Sequence, residues 1–441
     1  MSMWPYLSGI DTTATLDFLG WVMAACNIGC TISNPIYGYW NQRFLSAKWP
    51  TVTGFVIAAA GQVIYAYTSS VKSDAKWWLL GARIVTGLGV GNLAALRAYG
   101  AMASVPADRL KAIAFGTAGY VSGISFGPVI AAVFTPLGEK GFMLGSLQVN
   151  MYTASSYLMV ILCLAAAVFV IFFFHEDYAG LLNEDDHDEN AYVVIPKFDL
   201  LPALVCIYLY MIVNMIATNI GVLSTPLSTA LYDWKDSQSI LYNGIMECSS
   251  CIVSVTGNFL IGFTRLGKID KRWQVLFGLT IFMCYQLVNY PWPFYPGPLD
   301  PIPPGMNTTV IGGCDYDWCS TSRRVPLPVY ITSFVVFFGI AFPFVESPAA
   351  TMYSEILGPR RQGTMQGLFS LGGSLSPFVA SVLSTFLFQH TGYKYVIIMQ
   401  AASLAIAYLL VFLFYPRLTA LKLKPPPGKA AVYDKGVFYS M

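Results

Sequence analysis

Apolar stretches of about 20 residues recur along the whole chain, and short polar segments separate them. A helix of that length crosses a bilayer, and within lipid the backbone must satisfy its own hydrogen bonds. The pattern therefore predicts an all-α polytopic membrane protein. Eleven spans are predicted, at approximately 16–39, 51–69, 77–103, 113–136, 150–174, 199–223, 239–262, 273–290, 329–356, 365–389 and 395–415.

The composition agrees with a membrane protein. Hydrophobic residues make up 56% of the 441 residues and charged residues only 11%, with a mean hydropathy of +0.58, whereas typical globular chains are about 25% charged. A soluble enzyme, a nucleic-acid-binding protein and a disordered scaffold are all excluded for the main body. No catalytic constellation, cofactor motif or metal site is predicted from the residues.

The distribution of basic residues predicts the orientation in the membrane. One set of alternate loops holds sixteen of the 25 Lys and Arg residues and the other set holds seven. Because cytosolic loops carry the excess of positive charge, the first set and the carboxyl terminus should be cytosolic. The predicted organisation is a transmembrane half at 1–174, an acidic cytosolic linker at 175–198, a second half at 199–415 with a proline-rich luminal loop at 291–328, and a cytosolic tail at 416–441.

An internal repeat indicates that the two halves are related. Gly38 and Trp49 are eleven positions apart with basic residues between them, and Gly262 and Trp273 repeat this spacing at an offset of 224. By this offset, the partner of the span at 199–223 would lie before Met1. Two interpretations stay open: six spans in each half with the first one missing from this chain, or a protein built with eleven spans.

Three motifs resemble those of the major facilitator superfamily. The Gly38–Arg43 loop is similar to its glycine and basic loop motif, although Asn41 stands near the position where that motif has an acidic residue. The segment 83–92 resembles the arginine motif of the fourth span, and Gly123-Ile-Ser-Phe-Gly127-Pro128 resembles the glycine-proline motif of the fifth span. The resemblance implies the major facilitator fold, with two six-helix halves and transport by alternating access between them.

Shorter matches, such as Trp-Pro-Tyr-Leu at 4–7 and Ile-Leu-Gly-Pro at 356–359, resemble lysosomal members of this superfamily. The resemblance implies a lysosomal or endosomal membrane protein, and one activity ascribed to such members is chloride conduction. The expected partners are a small solute, a proton or chloride, together with the lipid bilayer. We expect a monomer that binds no nucleic acid.

Ionisable residues inside spans cost about 2.5–3.5 kcal/mol at mid-bilayer, so each needs a reason to be there. Arg83 is predicted either to bind an anion or couple protons at the central cavity, or to snorkel or brace helices. Arg97 lies nearer the cytosol, where snorkelling or loop bracing is the favoured interpretation and lining of an ion pathway the other. Glu247 and Glu346 are predicted to exchange protons, unless each is paired with a neighbour. Asn92, Asn214 and Asn219 either line the path or form interhelical hydrogen bonds.

Small residues and prolines supply candidate packing and gating positions. Gly116, Gly119, Gly123 and Gly127 recur every three or four residues and predict a tight packing face that could also serve as a gate. Pro343 and Pro348 flank Glu346, where interruptions of the helix could allow flexing. The predicted gating or packing residues are Gly38, Arg43, Gly123, Gly127, Pro128 and Pro343.

Three features bear on the compartment. Asn307-Thr-Thr309 is an N-glycosylation sequon in the loop predicted to be luminal. Cys314 and Cys319 share this loop and form either a disulfide or two free thiols. Asp177, Leu181 and Leu182 fit an acidic-dileucine sorting signal, which would engage sorting adaptors.

Three hypotheses for function follow. The first is a proton-coupled or facilitative carrier of a small lysosomal solute, in which Arg83 binds substrate charge and Glu346 carries protons. The second is a chloride-conducting channel lined by Arg83 and Arg97. The third is a non-transporting membrane scaffold or receptor, suggested by the absence of a first span.

Overall fold

The fold is that of a computed structural model. It describes residues 6–7, 10–11, 16–71, 74–138, 141–144, 147–179, 197–295, 297, 299, 313–314 and 316–421.

Eleven long helical rods make up the described part of the chain, one at each predicted position. Two rods are interrupted: one breaks at Gly91 and Asn92, and another contains a π-helical turn. The rods are α1 (Leu16–Phe44), α2 (Lys48–Tyr67), α3 (Ala75–Val90) continued by α4 (Leu93–Ala103), α5 (Arg109–Val133), α6 (Thr153–Phe173), α7 (Leu200–Tyr232), α8 (Asp236–Phe263), α9 (Lys271–Asn289), α10 (Leu327–Thr332) continued by the π segment Ser333–Phe338 and α11 (Gly339–Leu357), α12 (Gly363–Thr391) and α13 (Tyr393–Leu413).

Eight of these rods are long and apolar enough to cross a membrane, counting within the described residues. They are α2, α3–α4, α6, α7, α8, α10–α11, α12 and α13, whereas α1, α5 and α9 do not meet that measure. The all-helical architecture is therefore confirmed. The total of eleven spans and the missing first span stay predictions.

Local sequence explains several helix ends. Asp199 caps α7 by accepting a hydrogen bond from the Leu201 backbone, and Asp270 caps α9 by accepting one from Arg272. Helix α11 ends at Gly358, whose φ of +77° is strained for any other residue. Helix α7 continues to Tyr232 instead of ending near 223, because Pro226 is accommodated inside the helix.

The rods form two halves, with α1–α6 in the first and α7–α13 in the second. We call the side carrying the ends of α6 and α7 that adjoin the 174–199 connection the linker side, and the opposite side the loop side. Two seams join the halves: α1 lies along α12, and α5 lies along α8. The main hydrophobic core belongs to the second half and contains Leu209, Phe282, Tyr353 and Phe369.

Packed structure on the loop side was not predicted from the sequence. A two-stranded hairpin, β1 (Phe142–Leu144) with β2 (Leu147–Val149), connects α5 to α6. Near the end of the 291–328 loop, the buried Trp318 ring lies 5.2 Å from the Phe388 ring and 5.8 Å from the Tyr393 ring. This part of the loop therefore caps the second half.

Candidate transport cavity

A cavity of about 310 Å³ lies between the two halves. Helices α1 and α5 supply its wall from the first half, together with residues at the α3–α4 break. Helices α7, α8 and α12, with the π segment and α11, supply the wall from the second half. The cavity therefore occupies the interface where the central site of a two-half transporter is expected.

The cavity wall is polar at some points and aromatic at others. Amide and thiol side chains come mainly from α1, where Cys26, Asn27, Cys30 and Asn34 lie, and Asn214 and Cys251 face them from the second half. The aromatic residues are Tyr120, Tyr210, Phe334, Phe338 and Phe342. Glu247 is the one charged residue that the described part of the chain places on this wall.

An ion pair joins the halves beside the cavity. Arg97 Nη2 lies 3.0 Å from Glu346 Oε1, and the Glu346 side chain is only 1% exposed. The Arg97 guanidinium stacks on the ring of Tyr210 at 4.6 Å from its centroid, and the ring itself lines the cavity. Neither Arg97 nor Glu346 is on the described cavity wall, and the pair ties α4 to α11, both of which end on the linker side.

A glycine seam closes the halves on the same side. A Cβ placed on Gly38 would lie 2.5 Å from the Gly363 carbonyl oxygen and 2.8 Å from the Gly367 Cα. Next to this contact the Thr364 backbone N–H donates to Gln42 Oε1 at 2.8 Å. The α1 and α12 backbones are in direct contact here because the facing residues, Gly38 on α1 and Gly363 and Gly367 on α12, have no side chains.

Farther along the same seam, Asn34 joins the two helices by hydrogen bonds. Its Nδ2 donates to the Ser370 carbonyl at 3.0 Å and to Ser374 Oγ at 2.9 Å. Asn34 and Ser374 also line the cavity. The closed seam therefore reaches up to the cavity wall.

The glycine face on α5 has no packing partner among the described residues, and its predicted role in packing stays a prediction. A Cβ on Gly116, Gly119, Gly123 or Gly127 would meet no other atom of the described residues within 4 Å. Helix α5 contacts α8 nearer the linker side, where the Phe115 ring lies 5.2 Å from the Phe263 ring. This contact between the halves, like the glycine seam, therefore lies on the linker side of the cavity. The gating role of Gly123, Gly127 and Pro128 stays a prediction, and the Pro128 side chain lies outside the description.

Two predicted pathway residues are absent from the described cavity wall. Arg83 is half-buried on α3 near Tyr65, Cys26 and Cys30, and its buried Nε has no hydrogen-bond partner among the described residues. Arg83 is not among the described residues that line the cavity. Asn92 donates from Nδ2 to the Thr51 carbonyl at 3.1 Å. Of the two alternatives for this residue, the structure therefore has the interhelical hydrogen bond.

Arg97, Pro343 and Arg43 were also predicted to have functional or packing roles, and the structure places each in a different environment. Arg97 is in the inter-half pair with Glu346, not at the membrane surface as the snorkelling interpretation required. Pro343 packs on α8, where a Cβ on Gly257 would lie 2.8 Å from its Cγ. Arg43 is exposed and has no ion pair with a described residue.

The residues predicted to bear on the compartment are only partly described. Asp177 is exposed, whereas Leu181, Leu182 and Asn307 lie outside the described residues. Cys314 and Cys319 are joined by a disulfide, with their Cα atoms 6.0 Å apart.

A second, smaller cavity of about 60 Å³ lies within the second half. Asn219 lines it and is 2% exposed, and neither its amide nitrogen nor its oxygen has a hydrogen-bond partner among the described residues. Gln286 and Gln400 also line it, and their amides are hydrogen-bonded to each other at 2.5 Å. Phe334 on the π segment and Ile220 on α7 line both cavities.

The family model of the Major Facilitator Superfamily matches residues 1–299 and 316–437. The chain therefore belongs to the Major Facilitator Superfamily, the class of membrane transporters that the two-half fold and its central cavity indicate. Among its relatives is the Xenopus laevis protein named major facilitator superfamily domain-containing protein 8. The two are 28% identical over an alignment of 447 positions, which covers 95% of this chain and 87% of the relative.

Two solved structures share the fold at low sequence identity. The human organic anion transporter MFSD10 (TETRAN) superposes with a TM-score of 0.62 and 14% identity, over 89% of this chain and 83% of that one. The proton:xylose symporter XylE bound to 6-bromo-6-deoxy-D-glucose has a TM-score of 0.61 and 14% identity, over 93% of this chain and 89% of the symporter. At this identity the likeness shows the fold alone.

Proposed function

We propose that this protein carries a small solute across the endosomal or lysosomal membrane by alternating access, with the inter-half cavity as its binding site. The observation that supports this most is the asymmetry of the cavity. We infer that it opens toward the loop side, because the Arg97–Glu346 pair and the glycine seam join the halves on its linker side. In the alternate state these linker-side contacts separate and the loop side closes.

Protonation of Glu346 is the proposed coupling step. Breaking a buried ion pair by moving one partner away leaves an uncompensated charge, which costs about 3–5 kcal/mol. A proton on Glu346 removes its charge and weakens its attraction to Arg97, so the linker side opens at a lower cost. Arg97 then keeps its contact with the Tyr210 ring.

A carrier accounts for these features better than a chloride channel. The channel hypothesis placed Arg83 and Arg97 on a positive pathway lining, but neither residue lies on the described cavity wall. The inter-half contacts also close one side while the cavity faces the other, as a carrier requires.

Native thiols on the cavity wall allow a test that needs no known solute. Cys26, Cys30 and Cys251 line the cavity. A parent variant without the other free cysteines keeps these three thiols as labelling sites. The cysteines to be replaced are Cys163, Cys206, Cys248 and Cys284. A membrane-impermeant thiol reagent is applied to one side or the other of sealed proteoliposomes. We expect labelling from the loop side in the parent variant and a shift toward the linker side after Glu346→Gln.

Two outcomes would contradict parts of this proposal. Simultaneous labelling from both sides in the parent variant would indicate a channel. An unchanged pattern after Glu346→Gln would remove the ion pair from the gate. Asp108→Asn is the matched control, because Asp108 is exposed and paired only with Lys111 within the described residues.

The endolysosomal location is supported by the sequence resemblance and by the acidic-dileucine pattern at Asp177, Leu181 and Leu182. We expect the tagged protein to colocalise with lysosomal markers in cells. The Leu181→Ala/Leu182→Ala variant should accumulate at the plasma membrane instead. An unchanged distribution would eliminate this segment as the signal.

A further inference from the structure

We infer that the cavity binds an organic cation: an amine whose ammonium group pairs with Glu247 and whose apolar body packs against the aromatic part of the wall. This inference rests on the proposed function, since it names the class of solute for the same cavity.

The charge of the wall is the first argument. Glu247 is half-buried on α8 and faces the cavity, and no ion pair between it and a described side chain is present. A lone ionised carboxylate at membrane depth is costly unless a counter-ion accompanies it. A cationic solute supplies that counter-ion when it binds.

The other charged residues near the cavity do not neutralise the carboxylate of Glu247. Arg97 and Glu346 are 3.0 Å apart and neutralise each other, and neither lies on the described cavity wall. Arg83 is also absent from the described wall. An anionic solute would therefore meet a carboxylate on the wall without an opposing cation there.

The aromatic residues supply the second argument. Phe334, Phe338 and Phe342 recur every four residues, with neighbouring ring centroids 6.3 and 6.0 Å apart, and form one continuous aromatic strip on the wall. Tyr120 and Tyr210 lie on other helices of the same cavity. Aromatic faces attract ammonium groups and also accept apolar bodies.

The volume limits the size of the solute. About 310 Å³ is at the lower end of the range for small-molecule pockets, which is about 300–1,000 Å³. A primary or methylated amine with one aromatic ring fits this space. The amide of Asn27 on α1 also lines the cavity and can bind a hydroxyl or carbonyl of the solute.

Three probes of similar size and different charge test the inference: phenethylammonium, 2-phenylethanol and phenylacetate. Each is added to the purified full-length protein in detergent, and protection of Cys26, Cys30 and Cys251 from N-ethylmaleimide is measured by mass spectrometry. We expect phenethylammonium to protect best. Glu247→Gln should weaken this protection at least about tenfold, equivalent to ~1.4 kcal/mol, while Glu247→Asp should retain most of it.

Several results would overturn the inference. These are equal protection by the cation and the alcohol, stronger protection by phenylacetate, equal cation protection in Glu247→Gln, and no protection by any probe. If phenylacetate protects and Arg83→Gln abolishes that protection, the cavity binds anions through Arg83. Binding in detergent does not require transport, so failure here is separate from failure of the side-resolved labelling of proteoliposomes.

Discussion

At the scale of single residues, the contact between Arg97 and Glu346 has the largest consequence for function. Both were recognisable as ionisable residues inside spans, and the sequence predicted a role for each. Their pairing was not predictable, because 249 positions separate them and helical periodicity carries no information about contacts between halves. Only the packing of α4 against α11 brings the two charges together.

The pair should show strong energetic coupling. Arg97→Gln or Glu346→Gln alone should lower the thermal stability of the protein in detergent, because each leaves a buried polar group without its partner. The double variant should regain part of the loss, with a coupling energy of about 1–3 kcal/mol. Thermal unfolding of all four proteins gives this coupling energy, and additive losses would show that the two residues do not interact.

At the scale of elements, the seam between α1 and α12 and the packed loop beside α12 are the features that the sequence described least well. The periodic glycines of α5 suggested tight packing, yet no other described residue comes within 4 Å of a Cβ placed on them. In the sequence, Gly363 and Gly367 are no more conspicuous than the α5 glycines. In the structure, however, they lie in close backbone contact with Gly38. The same spacing of small residues occurs on both helices, so spacing alone cannot distinguish a packed face from a face that waits for another conformation.

A methyl group in the seam should force the linker side apart. Gly38→Ala places a Cβ 2.5 Å from the Gly363 carbonyl oxygen, and backbone at that distance must move. We expect increased labelling of cavity thiols from the linker side. Gly100→Ala is the control, since its Cβ would meet nothing within 4 Å and alanine favours a helix by about 1 kcal/mol. Identical labelling in the two variants would eliminate the seam as a closing contact.

The packed end of the loop should stabilise the second half. Trp318 is 6% exposed and contacts the rings of Tyr316, Phe388 and Tyr393. Truncation of a buried aromatic residue costs about 3–5 kcal/mol, so Trp318→Ala should lower the unfolding temperature clearly. Trp49, which is 56% exposed, provides the control variant Trp49→Ala. A similar loss in both variants would mean that the loop does not contribute through this ring.

At the scale of the whole molecule, hydrophobic length, motifs and the repeat were sufficient to predict the class of protein and the position of every long helix. They could not predict which side the cavity faces, because the two states of a carrier share one sequence and one set of helices. The residues that form the cavity wall could not be predicted from the sequence either. Glu247 was only one of several ionisable candidates until the structure left Arg83 out of the described wall and paired Arg97 with Glu346.

The solitary charge of Glu247 has a consequence for the response to membrane voltage. The described wall of the empty cavity carries one negative charge, and with a monovalent cation bound it carries none. Moving one elementary charge across a membrane potential of 100 mV changes its free energy by about 2.3 kcal/mol. Voltage should therefore act on the return of the empty carrier and leave the loaded step nearly unaffected. In proteoliposomes with an imposed potassium diffusion potential, phenethylammonium uptake at saturation should depend on voltage through the return of the empty carrier. Glu247→Gln should move that dependence to the loaded step, which then carries the uncompensated charge of the cation.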